Sequence, residues 1–125
     1  MIKVLIPLDS EFSKYEPQIK ELYEKNQAKI CDPNTFFFIK NQTLFYSFLE
    51  DGALIGAIYY FMEDGKLFLN AFSRRKTHLA NIKCLNLSLS WFKKPIYAEA
   101  QNRASAFCLL RCGFKRVEGN LFCYE

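Results

Sequence analysis

The stretch Asn102-Arg-Ala-Ser-Ala-Phe-Cys-Leu-Leu-Arg-Cys-Gly-Phe114 is the most informative part of this chain. Asn is a preferred helix N-cap, because its side-chain oxygen accepts a hydrogen bond from a first-turn amide. Gly113 suits the left-handed conformation that ends a helix, and Phe114 then re-enters extended chain. A strand-like apolar run precedes the segment, Pro95 to Ala100, and another follows it, Leu121 to Tyr124. The C-terminal third therefore reads as strand, helix, strand, strand.

Upstream, Leu79, Ile82, Leu85, Leu89 and Phe92 recur at helical spacing. Leu85 to Trp91 also alternates like a strand, but the run from Lys76 to Lys93 is long and free of turn residues, which favours a helix. Glu50-Asp51-Gly52 and Glu63-Asp64-Gly65-Lys66 are hairpin signals between apolar runs. They predict an antiparallel meander of Thr43 to Leu49, Leu54 to Met62 and Leu67 to Phe72. Near the N-terminus, Ile2 to Pro7 predicts a first strand. A helix follows, with Phe12, Tyr15, Ile19, Leu22, Tyr23 and Ile30 on one face and a Ser13–Glu16 capping box at its start. Asp32-Pro33-Asn34 breaks it. Phe36 to Ile39 reads as part of the next strand or a buried lead-in. The predicted order is β-α-β-β-β-α-β-α-β-β, an α/β domain over residues 1–125 with a mixed, mostly antiparallel sheet and helices on both faces.

The chain has 125 residues, half of them apolar, with 13 Phe and 7 Tyr, enough for one aromatic-rich core. Its net charge of +4 suits an anionic ligand and falls short of the basic runs that mark nucleic-acid binding. Five cysteines without a CxxC spacing, beside one His, argue against structural zinc, so no metal is expected. Buried free thiols fit a reducing cytoplasm, the expected location. No apolar run is long enough to span a membrane. The first residues do not read as a signal peptide.

The segment from Asn102 to Phe114, placed after a meander, resembles the closing segment of the GNAT superfamily of acetyl-CoA-dependent N-acyltransferases. The family pattern there is Asn-x-x-Ala/Ser-x-x-x-Tyr-x-Lys/Arg-x-Gly-Phe. Asn102, Ser105, Arg111, Gly113 and Phe114 match it, and Leu109 stands where Tyr is usual. The family's pyrophosphate pattern, Gln/Arg-x-x-Gly-x-Gly/Ala, falls on Arg75-Lys-Thr-His-Leu-Ala80. Arg75 and Ala80 fit, and His78 replaces a Gly. The predicted element order is also the GNAT order, with the second N-terminal helix shortened or lost.

The resemblance implies a cleft where one sheet strand splays from its parallel neighbour. It implies acetyl-CoA as cofactor, held by Ala71, Phe72, Ser73, Arg74, Arg75, Lys76, Thr77, His78, Leu79 and Ala80 on one side. Asn102, Ser105, Cys108 and Arg111 hold it on the other. Helix N-termini favour such phosphates. The family often places a general base on the strand before the central helix. Here Leu67 to Phe72 offers only Asn70 as a polar side chain, so Glu99 is the leading carboxylate and Asn70 its companion in the catalytic set. His78, Tyr97 and Tyr124 remain alternatives. The acceptor implied is an amine of a small molecule or a protein, and the fold leaves room for a homodimer. The competing reading is a GNAT-fold protein that has lost catalysis and binds a cofactor or a protein partner.

Overall fold

A computed structural model describes all residues, 1–125. The chain runs β1 (Ile2–Leu5), α1 (Phe12–Asn26), α2 (Phe36–Gln42), β2 (Leu44–Glu50), β3 (Ala53–Glu63), β4 (Lys66–Ser73), α3 (His78–Leu89), β5 (Ile96–Glu99), α4 (Arg103–Arg111), β6 (Lys115–Glu118) and β7 (Leu121–Tyr124). The strands form one seven-stranded sheet, ordered β1-β2-β3-β4-β5-β7-β6. Every neighbouring pair is antiparallel except β4 with β5.

The meander turns as the acidic-Gly pairs predict. Asp51 and Gly52 have φ of 51° and 83°, and Asp64 and Gly65 have φ of 51° and 75°. Two successive left-handed residues match the right-handed twist of the flanking strands.

Each face of the sheet carries its own core. On one, α1 and α2 pack Phe12, Ile19, Tyr23, Phe36 and Ile39 against Phe45, Leu54, Tyr59 and Phe72. On the other, α3 and α4 pack Cys84, Leu85, Leu89, Leu109 and Cys112 against Ile58, Tyr60, Leu69, Ile96, Ala98 and Phe122. Strand alternation splits neighbours between them, so Tyr59 faces α1 and Tyr60 faces α3. Burying one such aliphatic or aromatic side chain contributes roughly 1.5–3 kcal/mol.

Three sequence expectations change. The second N-terminal helix is present in short form, as the seven-residue α2, because the Thr35 hydroxyl accepts from the Phe38 amide and starts a helix where a strand or a buried lead-in was expected. The first helix starts at Phe12 without a side-chain cap. The Ser13 hydroxyl donates to the Ser10 carbonyl instead of forming a capping box with Glu16. The central helix spans only His78–Leu89, two residues later at its start and four earlier at its end than Lys76 to Lys93. No helix is long and apolar enough to cross a membrane.

The segment Asn102–Phe114 folds as read. Asn102 Oδ1 accepts from the Ser105 amide at 2.8 Å. Gly113, at φ 97°, follows the helix. The Phe114 amide then reaches the Leu109 carbonyl at 3.0 Å and the Gly113 amide the Leu110 carbonyl at 3.1 Å. This double closure satisfies carbonyls that the helix end leaves open.

Candidate functional site

The site begins with a fork in the sheet. β4 and β5 pair only at Leu67–Ile96, Phe68–Tyr97 and Leu69–Ala98. β4 then runs on to Ser73 without that neighbour. Asn70 and Glu99 are the first residue on each arm beyond the last pair. Leu69 and Ala98 belong to the α3/α4 core, so alternation turns Asn70 and Glu99 toward the α1 face.

Alternation also sorts the amides of the free arm. The Arg74 amide donates back to Ile55 on β3 at 2.9 Å. The Phe72 amide therefore also points to β3, and those of Ala71 and Ser73 point into the fork. The Ala71 amide is held there by Asn70 Oδ1 at 2.9 Å. Beneath this arm, β3 carries Gly56. A Cβ at that position would stand 2.2 Å from the Phe72 carbonyl oxygen and 2.7 Å from the Ser73 Cα. Only glycine lets the two strands approach this closely.

Beyond the fork lies the turn Arg74–Thr77. Lys76 adopts φ 62°, a left-handed conformation uncommon for a side chain of its size. The Thr77 hydroxyl lies 2.8 Å from the Arg74 carbonyl and 2.9 Å from Asn81 Oδ1, and Asn81 Nδ2 donates to Ser73 Oγ at 3.0 Å. Asn81 thus ties the turn to the end of β4. Thr77 makes no side-chain cap, so the first amides of α3 keep no internal partner. Arg74, Arg75 and Lys76 are exposed, and no ion pair of the protein engages them. Unpaired donors, a helix dipole and three cations at one point make a place for phosphate groups.

Fork and turn open into one cleft of about 370 Å³. Glu99 is its only carboxylate, against Lys29, Arg74, Arg75 and Lys76. Among solved structures, an N-acetyltransferase from Staphylococcus aureus Mu50 matches at TM-score 0.74 and 15% identity. That match covers 100% of this chain and 97% of that one. A probable acetyltransferase from Staphylococcus epidermidis ATCC 12228 matches at TM-score 0.70 and 12% identity, covering 99% and 98%. A GNAT-family acetyltransferase from Streptococcus agalactiae 2603 matches at 0.60 and 13%, covering 98% and 93%.

The fold is the GNAT acetyltransferase fold. No family model matches the chain, and no curated protein matches it.

Most of the residues singled out from the sequence meet on the walls of this cleft. They are Asn70 to His78 on the free arm and turn, Glu99 on β5, and Asn102, Ser105 and Cys108 on the α4 side. Three lie elsewhere. Leu79 is 72% exposed on the outer side of α3, and Ala80 packs on the core. Arg111 sits in the last turn of α4, with its guanidinium carbon 5.7 Å from the Phe107 ring centroid. Each helical residue turns about 100°, which carries these positions away from the opening.

The His78 side chain turns toward α4. Its ring stacks on Phe107 with centroids 5.2 Å apart and planes 26° apart. Leu109 is 5% exposed and lines the cleft floor, with no proton to give. Cys108 lines the cleft beside it, and the neighbouring Cys112 thiol holds its pKa below the usual thiol value. Tyr97 and Tyr124 are outside the cleft walls.

Gly56, Asn81 and the end of α1 with its following turn (Asn26, Lys29 and Ile30) also line the cleft, and sequence reading missed them. An isolated Gly inside a strand pattern was a usable signal for Gly56. Behind Asn70, the Tyr59 hydroxyl donates to the buried Asp32 carboxylate. Burial and then that carboxylate push the Tyr59 hydroxyl far above the usual tyrosine range.

Proposed function

We propose that this chain is an N-acyltransferase that moves an acetyl group from acetyl-CoA directly to a primary amine of a small molecule or protein. The observation that carries the reading is the fork past Leu69 and Ala98, opening beside an uncapped, cationic helix start. A fork gives a slot with backbone donors on one wall, and the helix start gives an anion site at its end. Acetyl-CoA, when bound, supplies the acyl group already activated as a thioester.

The chain's own residues divide the work. The α3 amides, Arg74, Arg75 and Lys76 hold the phosphates. The amides of Ala71 and Ser73 face the position of an acyl carbonyl and can polarise it, a role for which prepaid orientation matters most. For Ala71 this requires Asn70 Oδ1 to yield its present bond. Glu99 faces the acceptor side of the fork and accepts the amine proton, and Asn70 orients the amine. The amine itself enters past Asn26, Lys29 and Ile30. Both reactants held in one cleft contribute proximity.

The test is titration calorimetry with CoA and acetyl-CoA on purified protein, followed by thiol release with a panel of primary amines. Micromolar binding with amine-dependent thiol release supports the reading. No binding by a folded protein sinks it.

A second reading is favoured by one observation. Leu109 places an alkyl group where a proton donor for the departing thiolate is usual in the family. A chain that binds acetyl-CoA and turns over no amine would be a coenzyme- or protein-binding module on the same fold.

A further inference from the structure

Beside the cationic turn, the surface is aromatic. Phe107 is 46% exposed on α4, and one face of its ring stacks on His78. The Arg111 guanidinium lies 5.7 Å from the same Phe107 ring. His78 is itself exposed and lines the mouth of the cleft. Leu110, about one helical turn from Phe107, is 51% exposed, and Leu79, next to His78, is 72% exposed. A lone exposed Phe is unremarkable. A ring pair held parallel at the end of a phosphate-binding turn, with cations on both sides, is a different arrangement.

We propose that His78 and Phe107 form a stacking platform for the purine base of the bound coenzyme. The proposal rests on the coenzyme reading above. With the reactive end of the coenzyme in the fork and its pyrophosphate at Arg74–His78, the nucleoside must leave the turn on its outer side. The His78 ring is the first flat surface there. Its inner face is covered by Phe107, and its outer side is open to a base. Stacking accepts any purine face and is strong enough to matter. Arg111 closes the far side of the stack through its contact with Phe107. This also accounts for a His at a position where Gly is usual. The ring is engaged by α4 through Phe107.

The experiment is titration calorimetry on the full chain with two ligands, CoA and 4′-phosphopantetheine, which lacks the 3′-phosphoadenosine and one phosphate of the pyrophosphate. His78→Ala and Phe107→Ala should each weaken CoA binding about tenfold and change phosphopantetheine binding less than twofold. His78→Phe, which keeps a ring, should retain CoA affinity. Both side chains are exposed, and circular dichroism melts confirm that the variants fold. Equal losses with both ligands mean a structural role and overturn the platform. Unchanged CoA affinity in both alanine variants overturns it as well. A wild-type chain that binds neither ligand refutes the coenzyme reading itself, and the platform falls with it.

Discussion

The two faces of the forked sheet differ in what they offer a ligand. The α3/α4 face presents uncapped amides, Arg74, Arg75, Lys76 and a stacked ring pair, all suited to a large anion. The α1 face presents Glu99 and Asn70 at the fork, backed by the buried Tyr59–Asp32 bond. In the proposed reaction, binding belongs to the first face and proton transfer to the second. The fork is the only place where the two meet, because elsewhere the sheet is paired. If a break of one strand pairing separates affinity from chemistry in this way, single substitutions should move one and leave the other.

The largest expected effect is on the α1 face. Glu99→Gln should lower amine turnover about hundredfold, near 2.7 kcal/mol of barrier, as general bases commonly contribute. Coenzyme affinity should stay within twofold by calorimetry. A variant with normal turnover would remove Glu99 as the base, and one that lost affinity would break the division between faces.

The adjacent tyrosines compare the two faces in stability. Tyr59 bonds a carboxylate, Asp32, whereas Tyr60 bonds a hydroxyl, Ser88, at 2.7 Å. Tyr59→Phe should cost about 2 kcal/mol, because it leaves a buried carboxylate with only the Asn34 amide as donor, and Tyr60→Phe about 1 kcal/mol. Denaturant melts of the two variants measure the difference. Both hydroxyls titrate above their ordinary range in the folded chain, burial being the main cause for each. The unfolded chain therefore releases these protons first. Stability from the pair is intact below about pH 10 and falls as pH rises past it, about 1.4 kcal/mol per pH unit for each tyrosine. Either Phe variant should flatten that alkaline slope.

Much of the fold and of the cleft lining was legible in advance, for local reasons. Asn102, Gly113 and Phe114 specify the caps of α4 within one segment, and Asp51-Gly52 and Asp64-Gly65 specify their own turns. The basic turn was visible as Arg74-Arg75-Lys76. What was missed depends on distant partners. Four apolar residues from Phe36 to Ile39 show no helical period, and Phe37 and Phe38 are 72% and 45% exposed, so only the Thr35 cap marks α2. The register that ends at Leu69 and Ala98 joins strands separated by α3, and no local pattern records where it stops. The same holds for Asn26 and Lys29, which reach the cleft through the packing of α1. His78 stacking on Phe107 joins two helices and was equally unreadable.

On the α3/α4 face, Arg75→Glu should weaken coenzyme binding tenfold or more, at least about 1.4 kcal/mol. Arg103→Glu, at the start of α4, should change it less than threefold, because that residue is outside the cleft walls. Calorimetry on the two variants compares the two helix starts directly. Equal losses would mean a diffuse field of positive charge, with no defined phosphate site at α3.

The smallest effect separates the same two helix starts by stability. Asn102 caps α4 through a 2.8 Å bond to the Ser105 amide, so Asn102→Ala should cost about 1 kcal/mol and lower the melting midpoint by a few degrees. Thr77 caps nothing at α3. Its hydroxyl holds the turn through Arg74 and Asn81. Thr77→Ala should therefore cost only about 0.5 kcal/mol of stability, while loosening the turn and weakening coenzyme binding about threefold. The two substitutions delete side-chain hydrogen bonds at equivalent helix positions. If α3 is left uncapped in order to bind an anion, the loss at Asn102 should appear mainly in the melt and the loss at Thr77 mainly in the titration. A stability loss at Thr77 as large as that at Asn102, with unchanged affinity, would show that α3 has a cap of its own and that its amides are not the phosphate site.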